Sequence, residues 1–353
     1  MMRAARFHDK LDIRIEEIPI PIPKDDEVLI EVEWCGLCPA IIPRKENPHI
    51  VTKETLPLTM GHEFCGRVVK MSENSKLKKG DAVMVDPRFY CSTCFRCETG
   101  NSNACLKWGF RGLSGGGGGL SEFVAVPESF CHVLPESVDL ASAALIEPLA
   151  VAYHAVRKTG ISDPEWKEKN VLVLGGGPIG LFVVVVLKMK GVKSVFVSEP
   201  TEKRRGVCGE LADLVMDPMK ENVGEKCREL TDGRGVDVVF DCTGVAPALK
   251  DGMDAVRYGG LYMNVAGWIT PFVVPFVHFM TKEMEIKSSM AYNDEDFRET
   301  VKAFSEGAFS GIEKFVTSRV LLEDVVEKGL EELVRNKDHH VKILITPKRE
   351  YIT

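Results

Sequence analysis

No long hydrophobic run marks this chain. The longest, LFVVVVL at 181–187, is far short of a membrane span. The N-terminus, MMRAARFHDK, has neither the apolar core of a secretion signal nor the Arg/Ser-rich character of a transit peptide. No membrane role and a cytoplasmic location are therefore expected. Basic charge is also short. The 45 Lys and Arg face 52 Asp and Glu, a net charge of −7, which excludes a broad nucleic-acid footprint. There is no internal repeat, and no low-complexity tract beyond SGGGGG at 114–119. The composition, 44% hydrophobic and 27% charged, is that of a soluble globular protein, and 353 residues are too many for one ordinary core. Two domains are expected.

Cysteine is not short. There are 11, and in a cytosolic chain clustered cysteines point to metal rather than to disulfides. Four fall within CSTCFRCETGNSNAC: Cys91, Cys94, Cys97 and Cys105, spaced C-x2-C-x2-C-x7-C. Four thiolates complete a closed tetrahedral zinc site, and the stretch has too few apolar residues to order itself by burial. An iron–sulfur cluster is the other use of such a set. The closed zinc site is expected, with a structural role, in a lobe over about residues 88–108.

The first third reads as strands. LDIRI (11–15), EVLIEVEW (27–34), CGRVVKM (65–71) and DAVMVDP (81–87) alternate or run apolar, while PIPIP (19–23) forbids a central strand. Short strands punctuated by Gly and Pro argue for a small barrel-like domain. Near residue 140 the texture changes. DLASAALIEPLAVAYHAVRKTG (139–160) reads as an Ala-rich helix with Asp139 as N-cap and Gly160 as stop. From NVLVLGGG (170–177) onward, strand and helix patterns alternate, which implies an α/β domain with a doubly wound parallel sheet. A helix over DEDFRETVKAFSEG (294–307) and a strand over VKILITP (341–347) close the chain.

Gly175, Gly176, Gly177, Pro178, Ile179 and Gly180 lie between an apolar strand and a helix, with Glu199 ending the next strand. This is the context that turns a weak glycine motif into a dinucleotide site. The turn lets a pyrophosphate approach, the helix start offers unpaired N–H groups, and the acid binds ribose hydroxyls. Glu199 favours NAD over NADP. Arg204 and Arg205 pull the other way, since an arginine can hold a 2′-phosphate; Arg204 is expected against the adenine instead. Three further residues, Cys38, His62 of GHE and Glu147 of IEPL, with Glu63 beside His62, supply the mixed S, N and O donors of an open catalytic zinc site. No spacing rule links ligands so far apart.

Taken together, GHEFCGRV, KKGDAV, the four-cysteine lobe, GLSGGGGGLSEF, EPLAVAYHAV, GGGPIG, VSEP, FDCTG, AYNDEDF and VKILITP resemble the zinc-containing medium-chain dehydrogenases, of the sorbitol and 2,3-butanediol dehydrogenase branch. The resemblance runs over nearly the whole chain. It implies a GroES-like β-barrel catalytic domain (1–150) completed by a C-terminal return (290–353), around a Rossmann domain (151–289). It implies a catalytic zinc on Cys38, His62 and either Glu63 or Glu147. It implies NAD contacts from Ile179, Glu199, Arg204 and the backbone of Val265, Ala266 and Gly267, with Met290, Ala291 and Tyr292 closing over the nicotinamide. A small-molecule substrate and a homodimer or homotetramer are implied as well.

The chain departs from that pattern in one place. Where the family reads GICGSDLH or GICGTDLH, this chain reads GLCPAIIP. Ala40 replaces the hydroxyl that relays the substrate proton, Ile41 an aspartate and Pro43 a histidine, while Pro39 stiffens the loop. Lys45, Glu46 and His49 are the nearby polar residues that could substitute. The glycine run also lacks an aromatic residue common in relatives, so a wider substrate pocket is expected. Three readings stay open: oxidation of a secondary alcohol or diol, or reduction of a ketone, with NAD(H); an NAD(P)H-dependent biosynthetic reduction of an enone or imine; and NAD and zinc binding without turnover.

Overall fold

The structure, a computed structural model, describes residues 1–9, 12–38, 52–268, 271–274 and 276–352. They form two compact units, one of residues 1–147 with 293–353 and the other of residues 148–292.

The first unit is built on a sheet whose path runs Cys131–Val133, Ala82–Val85, Glu63–Lys70, Glu27–Gly36, Lys342–Thr346 and Val316–Leu321, with Phe123–Pro127 also paired to Glu27–Gly36. Met2–Asp9 pairs with Asp12–Ile18 and with Leu58–Thr59 in a smaller sheet. The alternation seen in the sequence explains the layering. In Glu27–Gly36, Val28, Ile30 and Val32 turn into a buried cluster with Ala5, Phe7, Phe64 and Val68. Residues 19–23 lie outside the strands, as their prolines require. The last strand, Lys342–Thr346, comes from the far end of the chain and pairs antiparallel beside Cys35 and Gly36. Leu37 N–H donates to Ile343 O at 2.9 Å and extends that pairing toward Cys38.

One expected helix is two. Asp139 does cap, accepting from Ala141 N and Ser142 N, but the helix it starts covers only Leu140–Ala143, and a second runs over Ile146–Lys158. The reason is Pro148. It has no N–H to return to the carbonyl of Ala144, so one continuous helix cannot pass through. The break sets Glu147 in the first turn of the second helix.

The second unit is a six-stranded sheet in which every pair is parallel. Its order is Leu214–Met216, Ser194–Ser198, Asn170–Leu174, Val236–Asp241, Val256–Asn264, Glu285–Ser288. In chain order this is 3-2-1-4-5-6, the doubly wound arrangement that places a ligand crevice where the order reverses. No helix of the described residues is long and apolar enough to cross a membrane.

Candidate metal and cofactor sites

Within the first unit, ligand atoms of Cys38, His62 and Glu63 lie within 4.8 Å of one another. Antiparallel pairing positions them: Gly36 stands opposite Glu63, two residues before Cys38, and His62 immediately precedes that strand. Gly36 is required here, since a Cβ would sit 2.1 Å from Oε2 of Glu63. Phe110 meets the His62 ring edge-on at 5.7 Å and fixes its plane. Burial pulls the His62 imidazole down to about 4, so the ring is neutral at pH 7. Its Nδ1 is buried and has no hydrogen-bond partner. A neutral imidazole with an orphaned nitrogen beside a thiol and a carboxylate is the donor set that a zinc ion satisfies.

Glu63 also has a cation. Lys342 donates to both of its oxygens, at 2.8 and 2.7 Å, and to Leu37 O at 3.4 Å, with both charged side chains 2% exposed. Burial alone would lower the lysine, but the charges of Glu63 and Cys38 outweigh it and hold Lys342 above its ordinary value. Glu147 is buried at 4% exposure and its charge also acts on Lys342, but it is outside the cluster of mutually close donors. Cys35 is fully buried and its thiol reaches Gly36 O; it takes no part in the cluster. Pro39, Ala40, Ile41, Pro43, Lys45, Glu46 and His49 lie outside the described residues.

Cys91, Cys94, Cys97 and Cys105 form the second cluster, again with all sulfurs within 4.8 Å. Cys91 to Cys105 is 3.5 Å, Cys94 to Cys97 is 3.6 Å and Cys94 to Cys105 is 4.0 Å. A tetrahedron with Zn–S of about 2.3 Å has edges of about 3.8 Å, so the four thiols fit one zinc. Backbone N–H groups of Cys91 and Lys107 already point at Cys105 Sγ, at 3.3 and 3.2 Å. A backbone hydrogen bond at Thr93 holds Cys91 down at about 6, while burial pushes Cys97 up to about 12. The outward exposure of Phe95 and Leu106 shows how little apolar burial the lobe has.

The glycine run beside this lobe is filled, not open. A Cβ on Gly116 would lie 2.4 Å from the Phe89 ring, and one on Gly119 would lie 2.3 Å from Phe64. The expected widening of the pocket therefore does not follow from these glycines. They allow close packing.

In the second unit, the strand Asn170–Leu174 ends in Gly175 at φ 93°, and the helix Pro178–Met189 begins with Gly177 as its N-cap and no side-chain cap. Its first-turn N–H groups thus remain for a ligand. A Cβ on Gly180 would fall 1.9 Å from Gly175 O, which is the close strand–helix approach the fingerprint needs. Glu199 is buried and held in place: it accepts from Gly176 N at 2.7 Å and Thr201 N at 2.8 Å. Arg205 is turned away, donating to Glu199 O and Pro200 O and pairing with Asp217 at 3.1 Å. Arg204 Nη1 lies 3.7 Å from where a Gly177 Cβ would be, so that side chain covers the turn. Val265 N and Ala266 N both donate to Asp241 O, and Asn264 Nδ2 donates to Ala266 O, which fixes the backbone before Gly267. Met290 is half exposed, Ala291 has φ 47° and Tyr292 is fully buried.

Lys342 was not anticipated as part of the site. The signal was there: a lysine inside VKILITP, a strand with every residue buried.

The chain is similar to known proteins over nearly its whole length. Residues 24–136 match the alcohol dehydrogenase GroES-like domain, and residues 178–306 match the zinc-binding dehydrogenase family. The (R,R)-butanediol dehydrogenase of Neisseria gonorrhoeae is 38% identical over 98% of this chain and 99% of its own. The crystal structure of 2R,3R-butanediol dehydrogenase from Bacillus subtilis superposes with a TM-score of 0.91 at 35% identity, covering 99% of this chain and 100% of that one. An Escherichia coli CFT073 alcohol dehydrogenase solved as its complex with NADH has a TM-score of 0.85 at 26% identity, with 98% and 99% covered.

Proposed function

The chain belongs to the zinc-binding medium-chain alcohol dehydrogenases, and on that footing we propose that it interconverts a vicinal diol or secondary alcohol and the matching ketone with NAD(H). The observation that carries this is the close grouping of Cys38, a buried neutral His62 and Glu63, with Lys342 on the carboxylate. Cys38, His62 and Glu63 would hold a zinc ion, which would supply Lewis-acid polarisation of a substrate oxygen and bring a hydroxyl pKa toward neutrality. In this reading Lys342 balances part of the negative charge of the donor set, and Glu147 acts from just outside it. Four thiolates, Cys91, Cys94, Cys97 and Cys105, hold a second, structural zinc that does no chemistry.

NAD is the proposed cofactor, held by the turn at Gly175, Gly177, Pro178, Ile179 and Gly180. Glu199 would repel a 2′-phosphate, and Arg205, one of the two arginines that could attract one, is committed to Asp217. Arg204, Val265, Ala266, Gly267, Met290, Ala291 and Tyr292 are assigned to the adenosine and nicotinamide ends. The division of labour is a catalytic domain of 1–150 with 290–353 and a cofactor domain of 151–289. A homo-oligomer is supported by the terminal strand Glu285–Ser288 and by exposed Val273, Phe276, Val277 and Met280 in the preceding segment.

Ala40 favours a second reading. It has no hydroxyl to relay the proton, and general acid–base help is worth about 10²–10⁴ in rate. A substrate that needs no proton at that oxygen, such as an enone or imine, would escape the penalty. Zinc content and turnover together test the proposal. Wild type should hold two zinc ions per chain and Cys38→Ser one, and wild type should oxidise NADH with acetoin or diacetyl. One zinc in both proteins, or no NADH oxidation with any diol or ketone pair, would overturn it. Turnover of enones alone would transfer the assignment to the second reading.

A further inference from the structure

A second cavity lies in the first unit, with a volume of about 590 Å³, and it shares no residue with the Cys38, His62 and Glu63 cluster. Ligand pockets commonly span about 300–1,000 Å³. Its lining includes Arg111, a residue with only 4% exposure. A buried guanidinium is costly unless it is paired. Arg111 has no carboxylate in ion-pair contact among the described residues. Its Nη1 donates to Gly116 O at 2.7 Å and Ala125 O at 3.2 Å, and the Phe89 ring lies 4.8 Å below its centre. The Nε is buried without a hydrogen-bond partner, and Nη2 has no partner among the described residues. Arg6, on the same lining, differs: its terminal nitrogens go to oxygens of Thr59 and Pro57, and its Nε pairs with Glu16 at 3.8 Å.

None of the lining acids, Asp26, Glu27 and Glu54, is in ion-pair contact with Arg111. Glu54 accepts from Gly116 N at 2.9 Å, and Glu27 accepts from Lys24 N at 3.1 Å and pairs with its ammonium at 3.5 Å. Arg111 is thus left without a hydrogen-bonded carboxylate, next to a wall that includes Phe89, Tyr90, Phe123 and Phe130. We propose that this cavity is a binding site for a small organic monocarboxylate, its carboxylate on Arg111 and its apolar body against the aromatic wall. One free guanidinium edge suits one carboxylate. A dianionic phosphate would find too few donors and would face Glu27 and Glu54.

The test uses the full-length protein with benzoate and inorganic phosphate as probes, read by isothermal titration. Benzoate should bind saturably. Arg111→Leu should weaken it by about 10- to 100-fold, the range of one charge-assisted hydrogen bond. Removing an unpaired buried charge should not unfold the protein. Ala125→Phe fills the cavity while keeping Arg111, and should abolish binding. Cys38→Ser should leave benzoate binding intact, which separates this cavity from the metal site. The proposal fails if benzoate shows no saturable binding below about 10 mM, if Arg111→Leu binds it as wild type does, or if Cys38→Ser loses it. Phosphate binding tighter than benzoate would also overturn it. So would a change of oligomer mass in Arg111→Leu by light scattering, which would make the occupant an acidic side chain of a second copy.

Discussion

Replacing Lys342 with methionine puts the most weight on the geometry described here. Lys342 and Glu63 are each 2% exposed and meet through two hydrogen bonds of 2.7 and 2.8 Å. At an effective dielectric of about 20, opposite charges at that separation attract by about 6 kcal/mol. Desolvating the two ions costs several kcal/mol each, so the pair as a whole is close to neutral for stability. Lys342→Met removes the attraction and leaves the Glu63 charge buried. The expected cost is about 3–5 kcal/mol in zinc-free protein. The double variant Lys342→Met/Glu63→Gln should recover much of it, because no unpaired charge remains. Zinc should also shrink the cost, by giving Glu63 another cation. Because a two-unit protein does not unfold in one step, the assay is hydrogen exchange in peptides covering Glu27–Gly36 and Glu63–Lys70. A loss of less than about 1 kcal/mol in the single variant, or a double variant no better than the single, would refute the reasoning.

Two other outcomes follow from the same structure. In zinc-free protein His62 is held at about 4 against its ordinary 6.5, so the folded form binds its proton more weakly than the unfolded form. Stability should be full above pH 6.5 and fall by up to about 3 kcal/mol as pH drops from 6.5 to 4, with the slope flattened in His62→Gln; a pH series of hydrogen exchange in the peptide covering Glu63–Lys70 checks this, and an unchanged slope counts against it. Glu199→Gln keeps an acceptor for Gly176 N–H or Thr201 N–H but removes the charge, so kcat/KM for NADP should rise relative to NAD by about tenfold or more. A constant ratio in steady-state assays would show that Glu199 does not choose the cofactor.

Local features were readable in the chain because local physics fixes them. Gly175 to Gly180 between a strand and a helix, Glu199 at the next strand end, and four cysteines in one short loop each announce their chemistry within a few residues. The Ala-rich stretch has the propensity of one helix, but the single missing N–H of Pro148 divides it into two. The glycine run suggested empty space, whereas its neighbours fill it. The pairing of Glu63 with Lys342 joins residues 279 positions apart, and only the antiparallel placement of the last strand brings them together. Arg111 is similar. Nothing in CLKWGFRGL says that a guanidinium there is buried, since that depends on strands from elsewhere in the chain.

The strand Lys342–Thr346 sits inside its sheet, between Glu27–Gly36 and Val316–Leu321. During synthesis that slot stays empty until residues 342–346 have left the ribosome. Residues 148–292 have all their strands much earlier and can fold as a unit while they wait. Until the last strand arrives, Glu63 has no Lys342 and the strand that leads to Cys38 has an open edge. The chain therefore sets an order of assembly, with residues 148–292 formed first and the surroundings of Cys38 and Glu63 completed last. A truncation that removes Lys342 should leave residues 148–292 folded and the buried Glu63 carboxylate without its cation.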